Sequence, residues 1–171
     1  MRVYLPATST TLWQLHADWR LGEVPLTAFA VTPALRDWYT DDDIEELEYA
    51  AARLAARAAL RLLDVDPAAA RRRAVVSADV PDAAVTVRDD LDRGAVRISE
   101  PVPLSAVAAV HVDDQDAESA VAAAAAVILE ADLGLESAQD TVDDAEGFEL
   151  SWYAPQELGD VLERLRVARH D

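Results

Sequence analysis

Residues 40–63 read TDDDIEELEYAAARLAARAALRLL, and the architecture follows from how this stretch packs. Ile44, Leu47, Ala51, Leu54, Ala58 and Leu62 recur three or four positions apart, so a period of 3.6 gathers them on one stripe. Thr40 stands at the expected cap, and Asp41 to Asp43 and Glu45 fall in the first turns. Carboxylates belong there, because the unpaired N–H groups of a helix start carry partial positive charge. The stretch predicts an amphipathic helix of about six turns, whose apolar stripe needs a second layer to bury it.

The flanks supply that layer. Residues 27–32 (TAFAVT) before the helix and 73–80 (RAVVSADV) after it read as strands, with Asp64 to Ala70 as the exit loop. Upstream, residues 2–6 (RVYLP) form a strand, and Thr8, Ser9 or Thr10 caps a short helix carrying Leu12, Trp13, Leu15 and His16. Downstream, 84–88 (AVTVR) and 95–99 (AVRIS) flank a turn at Asp89 to Gly94, and 106–112 (AVAAVHV) is a further strand. Asp113 or Asp114 then caps an Ala-rich helix reaching about Asp132 and ended by Gly134. An acidic segment of weak helical character continues to Gly147, and 148–153 (FELSWY) is the last strand. Pro155 opens a final helix with Leu158, Val161, Leu162 and Leu165 on one face.

Residues 24–32 (VPLTAFAVT) and 102–110 (VPLSAVAAV) match closely, and each precedes a long helix and then a strand. The later pair, Ser77 to Pro81 and Ser151 to Pro155, falls at nearly the same offset. This predicts an internal duplication, with pseudo-repeats over about 1–88 and 95–171 of a single α+β domain spanning 1–171. The expected fold is a two-layer sandwich: a mixed sheet of six to seven strands, with two long helices on one face as right-handed crossovers place them.

Composition narrows the chemistry. The 171 residues hold 33 Asp plus Glu against 15 basic residues, all Arg, for a net charge of −18. No Cys is present, which excludes disulfides, thiolate metal sites and cysteine nucleophiles. The five Gly never form a phosphate-cradling loop. Nucleic-acid binding runs on clustered basic residues, and Arg71-Arg72-Arg73, the one basic run, reads as a solvated turn. No nucleic-acid partner is therefore expected. Met1 leads straight into a strand ended by Pro6, and the apolar run Ala120 to Leu129 is far short of the ~20 residues a bilayer span needs. A cytoplasmic protein with no membrane partner is expected. The four Trp, four Tyr and two Phe are expected to supply much of the core's bulk, since Ala buries little area. Trp152 and Tyr153 are the exception: neighbours in a strand face opposite ways, so one of them lines a groove or a contact.

MRVYLPAT, TAFAVTPALRDWY followed by EELEYAAARLAA, VVSADVPD, PVPLSAVAAVHVDD and ELSWYAPQEL run in order from Met1 to about Leu162. In these stretches the chain resembles an actinobacterial family of conserved proteins, a domain of unknown function. The resemblance agrees with a GC-rich codon bias, visible in the absence of Lys and Asn. It implies a cytoplasmic actinobacterial protein and carries over no activity, cofactor or catalytic residue.

Ligands of strand–helix folds tend to bind beyond the carboxyl ends of the strands. The polar residues expected there are Arg36 with Thr32, Asp79, His111 with Asp113, and Tyr153 with Gln156. His111, Asp113 and Asp79 are chemically suited to a metal, but HVDD lacks a metal-binding partner motif, so neither metal nor cofactor is expected. No serine sits in a nucleophile elbow. Glu48 and Tyr49 are a conceivable acid–base pair, weakened because helical neighbours point about 100° apart. The expectation is a non-catalytic binding or regulatory module that recognises a protein partner or itself. The alternative is a small-molecule-binding protein or enzyme with its site at the strand carboxyl ends between the two halves.

Overall fold

In this computed structural model the backbone is described for residues 1–40 and 42–170, and side chains through residue 166. The first half comprises β1 (Arg2–Ala7), α1 (Ser9–Asp18), β2 (Arg20–Leu21), β3 (Leu26–Phe29), α2 (Pro33–Trp38), α3 (Ile44–Val65) and β4 (Ala74–Asp79). The second comprises β5 (Val85–Val87), β6 (Ala95–Ile98), β7 (Val102–Pro103), β8 (Val107–Asp113), α4 (Glu118–Ala126), α5 (Ile128–Asp132), α6 (Glu136–Glu146), β9 (Leu150–Tyr153) and α7 (Leu158–His170).

Local chemistry sets most of these boundaries. Thr8 caps α1 in a reciprocal pair, its hydroxyl accepting from the Thr11 N–H while the Thr11 hydroxyl accepts from the Thr8 N–H. Asp43, not Thr40, caps α3, accepting from the Glu45 N–H at 3.0 Å. Asp41 lies outside the described residues. The TAFAVT strand ends early, because Thr32 caps α2 and Pro33 takes its first position. The Ala-rich helix breaks at Val127 into α4 and α5, and Gly134 closes it in the left-handed region at φ 93°. The acidic segment is a full helix, α6, with Ala138, Val142 and Ala145 buried.

The main sheet has seven strands in the order β5-β6-β3-β1-β4-β8-β9. Each neighbouring pair is antiparallel, so the expected mixed sheet is corrected. The crossover β3–α3–β4 does run between parallel strands, but β1 inserts between them and pairs antiparallel with both. In the second half α4–α5 and α6 fold back as a hairpin, which returns the chain antiparallel beside β8.

The two halves therefore differ in topology, and the expected duplication is not reproduced. Leu26–Phe29 is a strand, whereas the matching Leu104–Ala106 is a 3₁₀ turn between β7 and β8. β2 and β7 form a separate two-stranded ladder.

Helices cover both faces, so the two-layer expectation gains a layer. Val3, Leu5, Ala7, Val76 and Ala78 pack with Leu12 and Leu15 of α1 and Leu158, Val161, Leu162 and Leu165 of α7. Tyr4, Phe29, Val75 and Ala95 point the other way, under Ala50, Ala51 and Ala55 of α3. The far side of α3 continues through Leu60 and Leu63 into α4, α5 and α6. Short alanine side chains let α3 settle close on the sheet without large aromatics between.

Tyr4 and Phe29 are the aromatic contributions to the buried core. All four tryptophans are at the surface, with Trp13 37%, Trp152 61%, Trp38 62% and Trp19 73% exposed. The expectation that tryptophan builds the core is overturned, because Val, Leu and Ala fill it.

Candidate functional site

Antiparallel pairing disperses the expected site. The carboxyl end of β4, with Asp79, and that of β8, with Asp113, lie at opposite ends of this antiparallel pair. Arg36 is exposed on α2. Thr32, its expected neighbour, is taken up by the α2 cap and by a hydrogen bond donated to the Arg93 carbonyl. Asp79 is gripped by Arg2, whose Nε and Nη2 donate at 2.8 and 2.9 Å. That hydrogen-bonded guanidinium holds the Asp79 carboxyl below the usual range. Tyr153 pairs with Val110 while Trp152 pairs with His111, so Tyr153 faces away from His111, under the Arg164 guanidinium at 5.5 Å. Only His111 and Asp113 share a face and a neighbourhood.

Asp113 is structural. Its carboxylate accepts from Arg73 N, Nε and Nη2, each at 2.8 Å, and Arg73 Nη2 also donates to the Phe148 carbonyl at 3.0 Å. Both side chains are fully enclosed. Arg72 donates to Glu118 at 2.9 Å, and Arg71 donates to the Leu63 carbonyl in the last turn of α3 and to the Ala69 carbonyl in the loop that follows. The expected solvated basic turn is instead a joint between α3, β8 and α4. Asp113 is thus engaged by Arg73, whose side chain also forms part of the lining of the neighbouring cleft.

A cleft of about 130 Å³ opens beside this joint, between α3 and β8–β9. Tyr49 stands on its helical side, His111 and Val75 form part of the floor, and Phe148, Glu149 and Leu150 form the β9 side. Tyr49 donates its hydroxyl to Glu149 at 2.7 Å, and this bond, with partial burial, raises the phenol pKa. Burial lowers the His111 pKa, which keeps the imidazole neutral at pH 7. Trp152 sits beside His111 in the strand register and remains largely exposed.

Nearby, the Tyr4 hydroxyl donates to Glu48 at 3.2 Å, and burial first, then Glu48, push that phenol up to about 12. Glu48 and Tyr49 thus diverge to different partners, as their helical spacing requires. Ser77 Oγ lies 3.5 Å from His111 Nε2, but Ser77 is 2% exposed and no substrate reaches it. Among the described residues, no group of three or more His, Cys, Asp or Glu is placed to hold a metal ion. The cleft combines the Tyr49 and Phe148 rings, the His111 imidazole, and charged groups of both signs, Arg53 and Arg73 with Glu146 and Glu149.

The alternation of Trp152 and Tyr153 was the signal in the sequence for the exposure of Trp152. Tyr49–Glu149 and Arg73–Asp113 carried none, since their partners are 100 and 40 residues apart. A second hollow, of about 220 Å³, lies between α2, α3 and the β5–β6 turn, where Arg93 covers Trp38 at 3.5 Å.

Fold and cleft together describe an acidic antiparallel α+β protein with a surface recess. The chain belongs to DUF6912, a family of unknown function, whose profile matches residues 1–162. No curated protein and no solved structure matches it.

Proposed function

We propose that this protein is a binding or regulatory module without catalytic chemistry of its own, recognising a protein partner or a second copy of itself. The observation that carries this reading is the placement of all four tryptophans on the surface of a chain whose core needs none of them. Exposed Trp and Tyr supply large contact area at small entropic cost, and they dominate the energetics of protein interfaces. Among the described residues no helix is long and apolar enough to cross a membrane. We take the setting to be the cytoplasm of an actinobacterium, which the Arg-for-Lys composition supports.

The α3/β8–β9 cleft favours a second reading, a small-molecule site. Its floor combines apolar Val75 and Leu150 with the polar His111 ring. Size-exclusion chromatography with light scattering, on the wild type and on a Trp19→Gln/Trp38→Gln/Trp152→Gln variant, tests the first reading. A dimer or stable partner complex that the triple variant loses is the expected result. A strict monomer without partners that turns over a substrate overturns it.

A further inference from the structure

The charges that line the α3/β8–β9 cleft are balanced and engaged within the chain. Arg73 is held by Asp113, Arg53 lies 3.6 Å from Glu146, and Glu146 also meets Arg57 at 3.3 Å. Glu149 accepts from the Tyr49 hydroxyl. The lining thus carries two guanidiniums and two carboxylates, and burial keeps His111 neutral at pH 7. A charged ligand would give up hydration here and meet no net counter-charge, so the cleft suits a neutral one.

Size and lining narrow the ligand further. About 130 Å³ is well under the roughly 300–1,000 Å³ of sites for drug-sized ligands, and close to the roughly 150 Å³ that holds benzene. Ala52 and Ala56 of α3, with Val75 and Leu150 of the sheet, supply apolar contact, and the Phe148 ring stands beside them. One aromatic ring fills this space. Glu149 sets the polar group that the ring carries. Tyr49 donates to Glu149 Oε1, while Oε2 has no partner among the described residues. A carboxylate only accepts, so the complementary group on the ligand is a donor. An aromatic hydroxyl is such a donor, uncharged at pH 7 and able to make a charge-assisted bond. Tyr49 already makes this pairing once, with the other oxygen of the same carboxylate.

We propose that the cleft binds a free single-ring phenol. The ring lies among Ala52, Ala56, Val75 and Leu150, and the hydroxyl donates to Glu149 Oε2. This rests on the small-molecule reading of the cleft and names its ligand class.

The test follows the methyl resonances of Val75 and Leu150 in the ¹³C-methyl-labelled full chain during titration with phenol, anisole, benzoate and benzylammonium. Leu133, 87% exposed and outside the cleft, reports non-specific partition. Phenol should shift Val75 and Leu150 saturably and leave Leu133 still, and the other three compounds should bind about tenfold more weakly or less. Glu149→Ala should weaken phenol about tenfold and leave anisole unchanged, whereas Ala52→Leu, which fills the space, should abolish both. Glu149 is at the surface, and unchanged thermal melting of the variants verifies the fold. Anisole bound as tightly as phenol, or phenol affinity unmoved by Glu149→Ala, overturns the phenol assignment and leaves the small-molecule reading standing. No saturable shift with any of the four compounds, or Leu133 shifts equal to those of Val75 and Leu150, overturn both together. An end-blocked Gly-Tyr-Gly peptide binding about tenfold tighter than phenol overturns the free ligand in favour of a partner's tyrosine.

Discussion

Asp113 and His111 stand two residues apart on the same face of β8, yet one belongs to a closed region and the other to an open one. Over Asp113 the chain returning from α6 supplies the Phe148 carbonyl, Arg73 fills the remaining space, and each charge has a partner. Over His111 the cover is Tyr49 of α3 with an open cleft between, bordered by Glu149, which accepts from Tyr49, and by the Arg53–Glu146 pair. The difference shows how one strand serves two ends. Buried charge must be matched inside the molecule, whereas charge at a solvent-facing edge is screened by water and needs no internal match.

The largest expected effect lies at the closed end. Asp113→Ala leaves Arg73 buried without a counter-charge and should cost about 3–5 kcal/mol in denaturant unfolding. The double variant Arg73→Met/Asp113→Leu should recover most of that loss, because two apolar side chains need no pairing. A double variant as unstable as Asp113→Ala would mean that the backbone bonds of Arg73, not the ion pair, hold this end.

His111 sharpens the contrast through pH. Its folded pKa lies below the ordinary value of about 6.5, so the unfolded chain takes up the proton first. Its contribution is fully present above that value and is lost as pH falls through it. Carboxylates held down by arginine, such as Asp132 between Arg61 and Arg57, lose their contribution only below about pH 4. His111→Gln should therefore flatten the stability curve between about pH 6.5 and 5 and leave the lower limb unchanged. The measurement is chemical denaturation at stepped pH.

A smaller effect is expected from salt. Raising NaCl from about 10 to about 150 mM shortens the screening length from roughly 30 to 8 Å. Repulsion among 18 uncompensated charges then falls, and the melting temperature should rise. EDTA at fixed ionic strength should leave it unchanged, and a drop would reveal a metal among the acids. At the open edge, Trp152→Ala should change stability least, within about 0.5 kcal/mol, because the ring is largely in water.

Most elements were legible because their signals are local. The three- and four-residue spacing of α3, a cap among Thr8 to Thr10, Gly134 and the apolar runs of β4 and β8 each act within a few residues. Alternation also foretold that Trp152 and Tyr153 part ways. The end of β3 was misread because a Thr-Pro pair closes a strand and starts a helix equally well.

What the sequence determined by itself was the α+β class, the positions of most helices and strands, the acidic surface and the absence of thiol and phosphate-loop chemistry. Tertiary structure alone decided that β1 inserts between β3 and β4, and this made the sheet antiparallel and dispersed the carboxyl-end site. It also decided that Arg73 is buried, that tryptophan stays outside, and that Tyr49 meets Glu149 across 100 residues. The physical reason is range: periodicity and capping are set by neighbours in the chain. Strand order, charge pairing and burial are set by which distant surfaces meet, and an Arg or a Trp reads the same in sequence whether water or another side chain lies against it.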